Sequence, residues 1–161
     1  MSNAIADSGL DISVQNQTLI KLLVFEIGKL TLALPILQVQ KIVKQSEVHG
    51  SGLSHVNLTH LPEQEIAIVD LHQKLFGSSL PTTTSSEFSG YFIISRNLTG
   101  ESLGIAVSQA PTLLDVPLEQ IRQLPEAYRR ADTLEIASHV TVIPQETTPR
   151  TIFILDLTRL V

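Results

Sequence analysis

Leu22-Leu23-Val24-Phe25-Glu26-Ile27-Gly28-Lys29-Leu30-Thr31-Leu32-Ala33-Leu34-Pro35 is the stretch on which the fold turns. Two short apolar runs flank Gly28-Lys29-Leu30, and their Val, Phe, Ile and Thr content favours strands over helices. The unit predicts a β-hairpin. Pro35 ends the second strand, and its fixed φ suits the first turn of a short helix, expected over Ile36 to Gln40. Further on, Ile66-Ala67-Ile68-Val69 reads as a buried strand. Asp70 is placed to cap the turn Leu71-His72-Gln73-Lys74-Leu75-Phe76, and Gly77 to close it.

The same order then recurs. Tyr91-Phe92-Ile93-Ile94-Ser95 and Leu103-Gly104-Ile105-Ala106-Val107 surround Asn97-Leu98-Thr99-Gly100, a second hairpin. Pro111 follows it as Pro35 follows the first, and Ile152-Phe153-Ile154-Leu155-Asp156-Leu157-Thr158-Arg159-Leu160 echoes Ile66 to Leu75. Pro35 and Asp70 are 35 positions apart, Pro111 and Asp156 45. Duplication or coincidence could produce such a pattern, because an apolar strand followed by Asp-Leu is a common combination. Each half offers about five short strands punctuated by turns, which fits small barrels better than an open sheet. Neither half contains the 10–15-residue amphipathic helix of a βαβ crossover. Leu23, Phe25, Leu32, Ile66, Ile68, Phe92, Ile94, Ile105, Val107, Ile152 and Ile154 are the expected core, half of them in each barrel. Residues 1–17 are polar and unpatterned, expected as a loose tail, and the Ser- and Thr-rich Ser78–Gly90 as a loop between the half-repeats.

Composition narrows the function. The chain has 161 residues, the size of one domain, and its 43% apolar content is too high for a disordered chain. Unbroken apolar runs such as Leu22 to Phe25 reach only four residues, far short of the ~20 residues of a membrane helix. No charged, apolar-cored leader opens the chain, so a soluble, cytoplasmic protein without direct membrane insertion is expected. Cysteine is absent, which excludes disulfides, thiolate catalysis and cysteine metal sites. Eleven basic residues against sixteen acidic ones give a net charge of −5, and only Arg129-Arg130 pairs cations, so no nucleic-acid partner is expected.

No catalytic constellation emerges. His49, His55, His60 and His72 are spaced by six, five and twelve positions, matching neither H-E-x-x-H nor a standard zinc pattern. The competing reading is a small ligand- or metal-binding barrel, or an enzyme, that uses this histidine-rich stretch with Asp70. Ser51 lies between Gly50 and Gly52, but G-x-S-x-G is missing, as are the third glycine of a dinucleotide loop and the P-loop lysine. Glu63 and Glu65 flank Gln64 ahead of a strand and read as edge-solubilising charges. Asp70 and Asp156, at matched positions, read as helix caps rather than a catalytic dyad. The residues alone indicate a β-rich binding module with no cofactor, and they do not name its partner.

From Leu22 to Val161 the chain resembles the CheW-like domain, the adaptor of bacterial chemosensory arrays. The resemblance is carried by Leu23 to Gly28, Leu34 to Ile42, Ile68 to Phe76, Gly104 to Val107, Val116 to Ile121 and Ile154 to Leu157. It implies a mainly β domain over residues 18–161, made of two interlocked five-stranded SH3-like barrels with short helices. It further implies no catalysis, and partners in the cytoplasmic tip of a methyl-accepting chemoreceptor and the regulatory domain of a CheA-type histidine kinase. Two departures concern those partners. The family commonly has V-Q-E-I where this chain has Val39-Gln40-Lys41-Ile42, and N-L-R-G where it has Asn57-Leu58-Thr59-His60. Val39, Lys41, Thr59 and His60 are therefore the expected partner-binding residues, with Val39 as an apolar anchor beside the altered charge of Lys41.

Overall fold

A computed structural model describes residues 17–45, 48–49, 56–61, 64–77, 90–96, 99–130 and 134–160, with the backbone alone at 48–49, 56–61, 64–65, 129–130 and 134. The expected tail (apart from Gln17), the Gly50–His55 stretch and the Ser78–Gly90 loop (apart from Gly90) lie outside the described residues. Strands β1 (Leu19–Ile27) and β2 (Leu30–Pro35) form the first hairpin, in register from Leu22 opposite Pro35 to Ile27 opposite Leu30. Gly28 makes the turn at φ +58, where a side chain would be strained and its Cβ would lie 2.9 Å from the Phe76 ring. Strands β7 (Tyr91–Arg96) and β8 (Ser102–Val107) form the second hairpin.

The other strands are β3 (Val39–Lys44), β4 (Val48–His49), β5 (Val56–Leu61), β6 (Gln64–Val69), β9 (Thr112–Pro117), β10 (Arg122–Gln123), β11 (Ala137–Ile143) and β12 (Arg150–Leu155). They join the hairpins in two six-stranded sheets, ordered β10-β11-β12-β2-β1-β9 and β3-β7-β8-β6-β5-β4. Each therefore has five main strands and one of two residues, β10 or β4. The sheets curl, as small SH3-like barrels do.

The halves of the chain are not the barrels. Hairpin β1-β2 completes the sheet made by β9 to β12, and hairpin β7-β8 completes the one made by β3 to β6. The pairings match: β1 with β9 and β7 with β3 are antiparallel, while β2 with β12 and β8 with β6 are parallel. A lone hairpin leaves two bare edges, and here each hairpin has both edges covered by the opposite half.

This exchange also redistributes the core. All eleven expected core residues are buried, but they do not divide equally between two barrels. Leu23, Phe25, Leu32, Ile105 and Val107 belong to a cluster shared by both sheets, with Ile27, Leu34, Ile93 and Leu155. Ile152 and Ile154 lie inside the first sheet with Leu22 and Val24. Ile66, Ile68, Phe92 and Ile94 lie inside the second. The unbroken run Leu22 to Phe25 follows directly: successive side chains point to opposite faces, and both faces are buried.

Helix α1 (Leu71–Phe76) forms as expected. Asp70 Oδ1 accepts the Gln73 backbone N–H at 3.0 Å, and Gly77 closes the helix in the left-handed region at φ +76. Asp156 does the same for a 3-10 turn over Leu157–Arg159, accepting Thr158 N–H at 3.0 Å. Both aspartates are caps. The helix expected over Ile36 to Gln40 is shorter, a 3-10 turn over Ile36–Gln38, because β-branched Val39 is already extended at φ −93, ψ 125 and starts β3. A similar turn, Leu118–Gln120, follows Pro117, and helix α2 spans Glu126–Arg130. Glu65 lies on interior strand β6 rather than at a sheet edge, in the part of β6 that pairs with β5 ahead of its register with β8.

Candidate partner-binding site

The four expected site residues fall in one sheet but in two strips. Val39 and Lys41 lie on edge strand β3; Thr59 and His60 lie on β5, with β7, β8 and β6 between. On β5, Thr59 is opposite Ile66, and His60 opposite Glu65. On β3, Val39 is opposite Ser95 and Lys41 opposite Ile94, with a bulge at Gln40 between them. In a regular strand Val39 and Lys41 would share a face. The bulge absorbs one residue and breaks that alternation. Val39 is half-buried against the shared core, whereas Lys41 stands in solvent. Part of the expected apolar anchor is thus committed to packing.

The strand is held in place at both ends of this segment. Ser102 Oγ donates to Gln40 Oε1 at 3.4 Å, so the bulged side chain reaches across β7 to β8. Gln45 Nε2 donates to the Val107 carbonyl at 3.0 Å, and Gln45 N–H donates to the Gly90 carbonyl at 3.1 Å. These bonds tie the exit of the edge strand to the second hairpin. They fix where Lys41 is presented.

Beside Val39, a cleft of about 160 Å³ opens between the two sheets. Gln38 and Arg96 line it from one side; Ser138, Leu155, Asp156, Leu157 and Thr158 line it from the other. Within it, the Asp156 carboxylate is already engaged. Its Oδ1 accepts the Thr158 hydroxyl at 2.6 Å, and its Oδ2 lies 3.4 Å from Arg159 Nε. Ser138 Oγ lies 2.7 Å from His139 Nδ1. The sequence signalled Arg96 only as a cation ending an apolar strand. Its neighbours in the cleft come from distant segments, so no local pattern could reveal the grouping.

The histidines do not converge on a described site. Backbone pairing places His49 opposite Leu58 and His60 opposite Glu65, and His55 is outside the described residues. The His72 ring packs on Phe76, with centroids 4.9 Å apart. Among the described residues no three His, Asp or Glu side chains are grouped to hold a metal ion. No helix of the described residues is long and apolar enough to cross a membrane.

Two hairpin-exchanged β-sheets with a shared core and a seam cleft define a double-barrel β domain. A family model for the CheW-like domain matches residues 21–161, and the chain belongs to that family, which is one of non-enzymatic scaffolds. Among solved structures, the chain is similar to the scaffolding protein TtCheW from Thermoanaerobacter tengcongensis. The match has a TM-score of 0.66 and 19% identity, covering 87% of this chain and 86% of that one. A comparison with curated proteins returns no match. The six stretches that carry the family resemblance fall on β1, β2 to β3, β6 with α1, β8, β9 with its 3-10 turn, and β12. They trace both sheets.

Proposed function

We propose that this protein is a cytoplasmic signalling adaptor that couples chemoreceptors to a CheA-type histidine kinase in a bacterial chemosensory pathway. The observation that carries the reading is the CheW-like match across residues 21–161, which takes in nearly every described element of both sheets. The architecture supports it. A core shared between the barrels holds their outer surfaces at a fixed angle, which suits a part that sets the geometry of two partners while performing no chemistry of its own. Val39, Lys41, Thr59 and His60 are the proposed contact residues. Lys41 favours a partner surface that is acidic, because like charges meeting across a desolvated interface disfavour the wrong partner by several kcal/mol.

The experiment is a pull-down with the full chain against the receptor tips and kinase regulatory domains encoded near its gene. Retention of at least one receptor tip and one regulatory domain is the expected result. Failure to retain any of them, with the chain shown to be folded, overturns the adaptor reading.

A further inference from the structure

Each sheet ends in one full-length edge strand, β9 in the first and β3 in the second, and the matched pairings make the two equivalent. The opposite edges, β10 and β4, are two residues long, too short to template a further strand. A long edge presents a row of unpaired N–H and C=O groups, commonly guarded by lysines or a bulge. β3 has both, the bulge at Gln40 and the exposed Lys41 and Lys44. β9 has neither. It follows β1 in unbroken register from Thr112 opposite Val24 to Pro117 opposite Leu19, and among the described residues no strand pairs with its outer side. Pro117 lacks an N–H, so the open row covers residues 112–116. Leu113 is 58% exposed, Leu19 on β1 53%, and Leu118 in the turn after β9 51%. Leu113 is opposite Leu23 and Lys21 opposite Asp115, so Leu19, Lys21, Leu113 and Asp115 share one face. Lys21 Nζ lies 3.8 Å from Asp115 Oδ1, which leaves the strip neutral. Glu119, past the end of the strand, accepts from Gln17 Nε2 at 3.1 Å.

We infer that β9 pairs antiparallel with β9 of a second copy of this chain, about a two-fold axis near the middle of the strand. Such a strand is complementary to itself, because each copy's outward N–H groups meet the other's carbonyls. The charges favour the same occupant. Lys21 and Asp115 neutralise each other within one chain, so two copies meet without like-charge repulsion and no excess charge steers a charged partner here. The two Glu119 side chains lie at opposite ends of the pair. Leu113 of each copy falls near the axis, where the leucines cover one another. The β3 edge could not pair this way, since Lys41 and Lys44 would meet their own copies, and like charges across a strand pair destabilise it. The pairing is closed by its symmetry, so it stops at two chains. It also leaves β3, in the other sheet, open on both, so a pair of chains carries Val39 and Lys41 twice. The contact is one strand and a few leucines, well under a stable dimer's area, and association belongs to concentrations above about 0.1 mM.

The test is sedimentation equilibrium of the full chain from about 10 μM to about 1 mM, the range that brackets a contact of this size. The weight-average mass should climb from one chain toward two. Each chain carries a net charge of −5, so the climb should be steeper at high salt, where repulsion between the copies is screened. Leu113→Asp, at an exposed position, should leave the thermal melt of the dilute protein unchanged and weaken association at least tenfold, by setting like charges across the axis. Ile42→Lys, on the β3 edge, should leave association as it is. A chain that stays monomeric to 1 mM at every salt overturns the inference. So does association that survives Leu113→Asp, that is lost in Ile42→Lys, or that weakens as salt is raised.

Discussion

At Lys41, a proposed contact residue, a single charge can be changed without touching the fold. The side chain stands on a sheet edge in solvent, and the bulge at Gln40 turns Val39 away from it into the shared core. A rim charge acts on encounter rate and selectivity more than on final affinity. Lys41→Glu should therefore leave the thermal melt unchanged. It should slow association with an acidic partner and lower affinity roughly two- to tenfold at low salt. The difference should shrink toward nothing near 1 M salt, where screening acts within about 3 Å. Surface plasmon resonance against the retained partners at several salt concentrations measures this. A rate and affinity identical to those of the unmodified chain at every salt would show Lys41 to be a bystander.

The elements were legible in the sequence wherever their signals are local. Both hairpins, the strand before Asp70 and the Asp-capped turn closed by Gly77 follow from adjacent residues, and all are present. The length of the turn after Pro35 was less legible. Proline marks where a turn can begin, but its end is set by the pairing of Val39 with Ser95, a residue far along the chain. Of the candidate site, Val39 and Lys41 could be placed on one exit segment, whereas Arg96 and its cleft depend on contacts among β7, β11 and β12. The cap is the element whose energetics can be stated most directly. Asp70→Ala removes the acceptor for Gln73 N–H, and loss of such a cap costs about 0.5–2 kcal/mol. Urea denaturation should show that loss, while Asp70→Asn, which keeps an acceptor oxygen, should recover most of it. Equal stability of Asp70→Ala and the unmodified chain would mean that α1 is held by Leu71 and Leu75 in the shared core alone.

The exchange of hairpins predicts that the whole molecule unfolds as one cooperative unit. Neither sheet can form from one half of the chain, because β1-β2 must pair with β9 and β12, and β7-β8 with β3 and β6. The repeat in the sequence suggested two barrels in succession, since a local pattern records which strands exist and not which strands they pair with. The shared cluster carries the consequence. Ile105 sits on β8 in the second sheet but packs in the cluster to which Phe25 and Leu32 of the first contribute. Ile105→Ala should destabilise the protein by about 2–5 kcal/mol. If the sheets are thermodynamically one body, hydrogen exchange at amides in β12 should accelerate by the same factor as at amides in β6. Ile152→Ala, inside the first sheet, should speed exchange in β6 as well. Two separate unfolding transitions, or exchange in one sheet indifferent to a cavity in the other, would show the barrels to be independent. They would then be free to reorient, and a rigid angle between partner surfaces would no longer follow from the fold.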